Sequence, residues 1–133
     1  MSEARAAAAP ETAPGIGIDL VDVERFRRIL ARRPGLAARC FSDAERASLA
    51  GRADAVPSLA ARFAAKEAVM KALGVGLGAF SWQEVEILSL PSGAPSLRLS
   101  GAAADCAAAR GIGALSVSLS HTEGLATAVV AAR

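Results

Sequence analysis

The sequence predicts an α+β fold, a small mixed or antiparallel sheet with helices packed on it. Three observations carry this. Segments with apolar residues every third or fourth position mix irregularly with segments of period two. Two pairs of the strand-like segments are joined by short turns rather than by helical crossovers, which argues against a doubly wound sheet. A chain of 133 residues has room for one domain and one modest core. Residues 1–14, rich in alanine with Glu3, Arg5 and Glu11, are expected to form a disordered N-terminal tail without the apolar run of a signal peptide. Residues 15–133 are expected to form a single domain.

Ile16, Ile18 and Leu20 alternate with Gly15, Gly17 and Asp19, which predicts a strand with the aliphatic face buried. The glycines on its other face admit a second backbone, and Asp19 projects from that open face. Val23, Phe26 and Leu30 follow at helical spacing, with Arg25, Arg28 and Arg32 as a second stripe, and Pro34-Gly35 ends the helix. Ser42 and Glu45 make a capping box for a short helix to about Leu49. The clearest helix opens at Pro57-Ser58 and closes at Gly74, with Leu59, Phe63, Met70 and Leu73 as its apolar stripe. Residues 74–78 then place three glycines in alternation. Residues 82–90 alternate as a strand, Ser92-Gly93-Ala94-Pro95 is a turn, and Leu97 and Leu99 mark the returning strand. An alanine-rich helix from about Ala102 to Arg110 ends at Gly111. Val117, Leu119 and His121 share one face of a later strand, and Glu123-Gly124 turns the chain into a final apolar strand from Leu125 to Ala131.

Composition narrows the function classes. The net charge of +2 does not support wholesale nucleic-acid binding, and the cations instead crowd between Arg25 and Arg39. No segment offers eighteen apolar residues without a charge, so no membrane span is expected. Cys40 and Cys106 form neither a disulfide framework nor a metal spacing, and a reduced state in the cytoplasm is expected. Four Phe, one Trp and no Tyr leave a core built on small side chains, which would gain from burying more surface in an oligomer.

Several residues carry potential chemistry. Asp19 and Glu67 can hold a hard cation such as Mg²⁺, which takes one or two protein carboxylates and completes its shell with water and substrate phosphates. They can equally be a strand-end cap and an i,i+4 partner of Lys71. His121, the sole histidine, fits either a structural hydrogen bond or a site facing a substrate. The backbone of residues 74–78 can cradle phosphate or simply cap a helix and turn, but no P-loop lysine follows and Gly15-Ile16-Gly17 lacks the third glycine of a dinucleotide fingerprint. Ser118 and Ser120 lack a glycine elbow, so a hydrolase triad is not expected. The arginine helix reads as a solvated face or as the docking surface of a binding module.

Taken together, three ordered segments resemble the holo-acyl-carrier-protein synthases, the small 4'-phosphopantetheinyl transferases. They are Gly15-Ile16-Gly17-Ile18-Asp19-Leu20-Val21-Asp22-Val23-Glu24-Arg25-Phe26, then Arg62-Phe63-Ala64-Ala65-Lys66-Glu67-Ala68-Val69-Met70-Lys71-Ala72-Leu73-Gly74, and Ser118-Leu119-Ser120-His121-Thr122. Trp82, Glu84, Val85 and Ile87 and the Gly93-Ala94-Pro95 turn fall between them in the family's order. The resemblance runs from about Gly15 to Val130 and is loose between Pro34 and Pro57. It implies the 4'-phosphopantetheinyl transferase fold and transfer of 4'-phosphopantetheine from coenzyme A to a serine of an acyl carrier protein of fatty-acid or polyketide synthesis. Adenosine 3',5'-bisphosphate would be released, and Mg²⁺ would be required. It implies a homotrimer with sites between subunits. Asp19 and Glu67 would hold the metal, and Arg62, Lys66 and Lys71 would neutralise coenzyme A phosphates. His121 of a neighbouring subunit would face the nucleotide or its pyrophosphate. Gly74, Gly76 and Pro95 would line the adenosine pocket, and Arg25, Arg28 and Arg32 would dock the acidic carrier.

Overall fold

The computed structural model describes residues 15–133, and the expected tail at residues 1–14 lies outside them. Helix α4 (Val56–Leu73) is the spine of the molecule. Pro57 fits its first turn, where a missing N–H costs nothing. Gly74 ends it in the left-handed conformation at φ 70°, its N–H donating to the Lys71 carbonyl at 3.1 Å while the Val75 N–H donates to Met70 at 2.9 Å. Ala60, Ala61, Ala64, Ala65, Ala68 and Ala72 are all buried, so the helix is apolar on nearly every side and other elements approach it closely.

On one side of α4 lies a three-stranded antiparallel sheet in the order β1-β5-β4, from β1 (Ile16–Asp22), β4 (Leu115–His121) and β5 (Leu125–Ala132). Asp19 faces Ala128 across the first pair, and Leu119 faces Ala128 across the second. A separate antiparallel hairpin, β2 (Val85–Ser89) and β3 (Pro95–Leu99), packs Val85 and Ile87 into the same core. Helix α1 (Val23–Arg32) is capped by the Asp22 carboxylate, which accepts from the Arg25 N–H at 2.9 Å. Short helices α2 (Leu36–Cys40) and α3 (Asp43–Leu49) follow, and both halves of the Ser42/Glu45 capping box are formed. Helix α5 (Gly101–Ala109) closes the hairpin side.

Two expectations are corrected. The face of β1 that is buried is the glycine face. A Cβ on Gly17 would stand 1.8 Å from the Ala68 carbonyl oxygen and one on Gly15 2.1 Å from that of Ala72, so the second backbone that these glycines admit is that of α4, and theirs is the buried face. Ile16, Ile18 and Leu20 are instead 69, 56 and 64% exposed on the outer face. Small residues, not large ones, mark the packed side here because a helix backbone needs the room. The second correction concerns residues 82–84. Trp82–Glu84 is a turn of 3-10 helix with its own Ser81/Glu84 capping box, and the strand starts only at Val85. Helix α2 was not foreseen at all; it is a five-residue turn with no side-chain cap.

Candidate functional site

The close approach of β1 to α4 brings Asp19 and Glu67 together. Gly17 seats against Ala68, so Asp19, two residues along the same strand face, reaches the turn of α4 that carries Glu67. Lys71, one turn further on, donates to the Asp19 carboxylate at 2.9 Å and to the Ile18 carbonyl at 3.0 Å. The Glu67 carboxyl is pushed up to about 7, first by burial and then by the hydrogen bond and negative charge of Asp19, with Lys71 opposing. Asp19 in turn holds the Lys71 ammonium above its usual range. A buried Glu67 beside the negative charge of Asp19 makes a site that favours added positive charge. No third His, Cys, Asp or Glu joins them among the described residues. Such a two-carboxylate set suits Mg²⁺ with substrate phosphates and water, and it suits poorly the closed three- or four-ligand cages of transition metals.

A groove of about 540 Å³ runs past Glu67 along α1, lined by Phe26, Ile29, Phe63 and Leu125 together with Asp22, Arg25 and Glu67. Phe63 stacks on Trp82 at 4.8 Å and lies 5.3 Å from Phe26. These aromatic rings read in the sequence only as part of a core stripe. Their place beside Glu67 became visible once α1 was laid across α4. Arg25, Arg28 and Arg32 are all exposed on α1, as the helical spacing requires.

Lys66 and Arg62 are corrected. The Lys66 side chain is fully buried, its ammonium donating to Glu45 at 2.8 Å, to the Trp82 carbonyl at 3.0 Å and to the Val85 carbonyl, and lying 5.4 Å from the centre of the Phe41 ring. Arg62 is also buried and donates to the Ile87 carbonyl at 3.0 Å. Both point to the hairpin side of α4, away from β1, so a phosphate in solution does not meet them. Adjacent positions on a helix diverge by about 100°, so Lys66 and Glu67 face different partners. Glu45, which the sequence offered only as a local cap, is the missing partner: it also accepts from the Ile87 N–H at 3.0 Å.

His121 is exposed at the end of β4, on the face of Val117 and Leu119 and opposite Ala126. It stands two strands from β1 and two residues along from the level of Asp19. Strand spacing and rise place the two Cα atoms about 12 Å apart, so the His121 side chain does not touch Asp19 within one chain. The Gly74 N–H is used in the helix cap, whereas Gly76 has open space where a Cβ would be. Pro95 opens β3 opposite Ser89.

A model of the 4'-phosphopantetheinyl transferase superfamily matches residues 15–130. The chain belongs to that superfamily. It is a phosphopantetheinyl transferase, and its relatives are holo-[acyl-carrier-protein] synthases. The synthase of Clavibacter michiganensis subsp. michiganensis is 54% identical over 116 residues, covering 87% of this chain and 92% of the relative. The crystal structure of the Neisseria meningitidis synthase superposes with a TM-score of 0.82 at 33% identity, covering 90% of this chain and 97% of that one. The Helicobacter pylori synthase, solved in complex with coenzyme A, gives 0.76 at 32% identity over 89% of this chain and 99% of the other. This phosphopantetheinyl transferase has the α+β architecture expected from its sequence, and no described helix is long and apolar enough to cross a membrane.

Proposed function

We propose that the protein transfers 4'-phosphopantetheine from coenzyme A to a serine hydroxyl of an acyl carrier protein, with Mg²⁺ as its metal. The observation that carries the proposal is the Asp19–Glu67 pair beside Lys71, with Glu67 also lining an apolar groove that carries Arg25. In the reaction the serine oxygen attacks the phosphorus bearing the pantetheine arm. The bond between that phosphorus and the bridging oxygen of the pyrophosphate breaks, adenosine 3',5'-bisphosphate leaves carrying the bridging oxygen, and the serine proton is released. Mg²⁺, when bound by Asp19 and Glu67, supplies positive charge to the pyrophosphate and its leaving oxygen. Lys71 is the one cation of the central motif that is exposed beside the carboxylates, and it is placed to hold a phosphate oxygen. The apolar groove walls accept the pantetheine arm and keep water from the reacting phosphorus. Gly76 and Pro95, which lie outside the lining of that groove, are assigned to the adenosine pocket by the family resemblance. Arg25, Arg28 and Arg32 form a basic stripe beside the groove, suited to steer an acidic carrier.

We further propose a homotrimer whose sites lie between subunits. The outer sheet face exposes Ile16, Ile18 and Leu20 on β1 beside Leu125 and Val129 on β5, an apolar strip that α4 does not cover. The separation of His121 from Asp19 within one chain is a second support, because it fits a site in which a neighbouring chain supplies the histidine. Free Cys40 and Cys106 suit a reducing cytoplasm.

Mass spectrometry of an apo acyl carrier protein, incubated with coenzyme A and Mg²⁺, tests the reading. The wild-type chain is expected to add one phosphopantetheine, and Asp19→Ala or Glu67→Ala to leave the carrier unmodified while keeping the fold. No mass gain with the wild-type chain, or full transfer by both variants, overturns it.

A further inference from the structure

Arg27 sits within the arginine-rich helix α1 but does not belong to its free stripe. Its guanidinium meets Asp54 edge to edge, Nη1 donating to Oδ1 at 3.0 Å and Nη2 to Oδ2 at 2.8 Å. On its other side Nε lies 3.2 and 3.3 Å from the two Glu24 oxygens. Asp54 Oδ1 also accepts the N–H of Val56, the first residue of α4, at 3.1 Å. Hydrogen bonds therefore run from α1, through one carboxylate, to the start of the helix that carries Glu67.

We propose that the Arg27–Asp54 fork is a positioning device for carrier docking, one that fixes the roll of α1 on α4 and so sets where Arg25, Arg28 and Arg32 point. This rests on the reading that α1 docks an acidic carrier protein. Apart from the Val23 N–H, which donates to the Gly124 carbonyl at 3.0 Å and so pins only the first residue of the helix, the remaining hold of α1 on its neighbours is apolar, through Val23 and Phe26, and such contact is non-directional. A planar guanidinium gripped by two carboxylates has one orientation, and it joins positions 27 residues apart in sequence. The fork acts on both partners as an ion pair does: Asp54 is held below the ordinary carboxylate range by Arg27 and by the Val56 N–H, and Arg27 above its own. Isolated surface pairs contribute little to stability, so the effect is expected in docking rather than in folding.

Charge and position make opposite demands, and this makes the device testable. Asp54→Ala removes a negative charge beside the basic stripe. By charge alone, an acidic carrier would bind the variant at least as tightly as wild type. By position, it binds more weakly. Anisotropy of a fluorescently labelled apo acyl carrier protein at low salt is expected to show about a threefold or greater loss of affinity for Asp54→Ala, with the KM for coenzyme A and kcat at saturating carrier unchanged. Arg27→Lys keeps the charge but loses the fork, and is expected to weaken carrier binding in the same way. Unchanged or tighter binding by both variants overturns the proposal. Asp54→Asn retains an acceptor for Val56 and carries the test if the alanine variant melts early. Hydrogen exchange of the chain alone gives a reading that does not depend on the carrier: α1 amides are expected to exchange faster in Asp54→Ala than in wild type while β5 is unchanged, and equal exchange in α1 counts against the fork. If the wild-type chain neither binds nor modifies the carrier, it is the proposed function that fails, and the exchange result still decides whether the fork holds α1.

Discussion

Gly17→Ala is the sharpest probe of how the carboxylate pair is built. The new Cβ would lie 1.8 Å from the Ala68 carbonyl oxygen, 2.8 Å from its carbon and 2.9 Å from the Ala72 nitrogen. A carbon approaches a carbonyl oxygen to about 3.3 Å, so β1 and α4 must separate by about 1.5 Å. All three obstructing atoms are backbone, and no rotamer change relieves them. Overpacking of this kind costs up to about 3 kcal/mol, which in a chain of this size lowers Tm by roughly 10 °C. The catalytic loss should be larger than the loss of fold, because the same displacement separates Asp19 on the strand from Glu67 on the helix. A misplacement of about 1 Å at reacting groups costs on the order of a hundredfold in rate.

The assay has two arms, thermal unfolding by circular dichroism and carrier modification well below the variant's Tm. Gly51→Ala is the control, since nothing lies within 4 Å of a Cβ at that position and its φ is not positive. The control should be close to wild type in both arms. If folded Gly17→Ala transfers phosphopantetheine at the wild-type rate, the strand–helix contact does not set the site.

Four further outcomes are expected. Lys66→Met strands the buried Glu45 carboxylate and should cost about 3–5 kcal/mol by urea unfolding, whereas pairing it with Glu45→Gln should recover part of that loss. Glu67 holds its proton more tightly in the folded chain than unfolded, so between about pH 4.5 and 7 the metal-free protein should lose stability as pH rises; over the same interval apparent Mg²⁺ affinity should increase, level off above it, and lose this dependence in Glu67→Gln, as read by calorimetry. Changing Arg25, Arg28 and Arg32 together to Glu should raise the KM for carrier and spare that for coenzyme A; equal damage to both would place the helix in the coenzyme A pocket. Co-assembly of Glu67→Ala with His121→Ala chains should restore part of the transfer activity that each lacks alone, and a fully active monomer by light scattering would refute the shared site.

Much of the fold was legible because local signals agreed with the tertiary outcome. The Gly74 stop, the Ser42/Glu45 box and the Gly93 and Gly124 turns all fall where their residue types demand. The β1 face was misread because period two gives two faces without saying which is inward. Only the helix lying on Gly15 and Gly17 decides that. Asp19, Glu67 and Lys71 were identified as a group, and the structure brings them together. Lys66 and Arg62 were grouped with them through adjacency in the motif, yet helical geometry turns them to the far side of α4. Their partners, Glu45 and the Ile87 carbonyl, are more than twenty positions away and left no local signal.

Trp82 is the single tryptophan in a chain without tyrosine, so essentially all of the protein's near-ultraviolet emission comes from one indole. That indole stacks on Phe63, whose other side faces Phe26 in the wall of the groove beside Glu67. The molecule thus carries a built-in optical reporter. If the groove takes the pantetheine arm as proposed, its filling is expected to change the polarity and packing around Phe63 and with them the emission of Trp82, read without a label in a stopped-flow cell, which would separate arrival of the arm from the chemistry that follows.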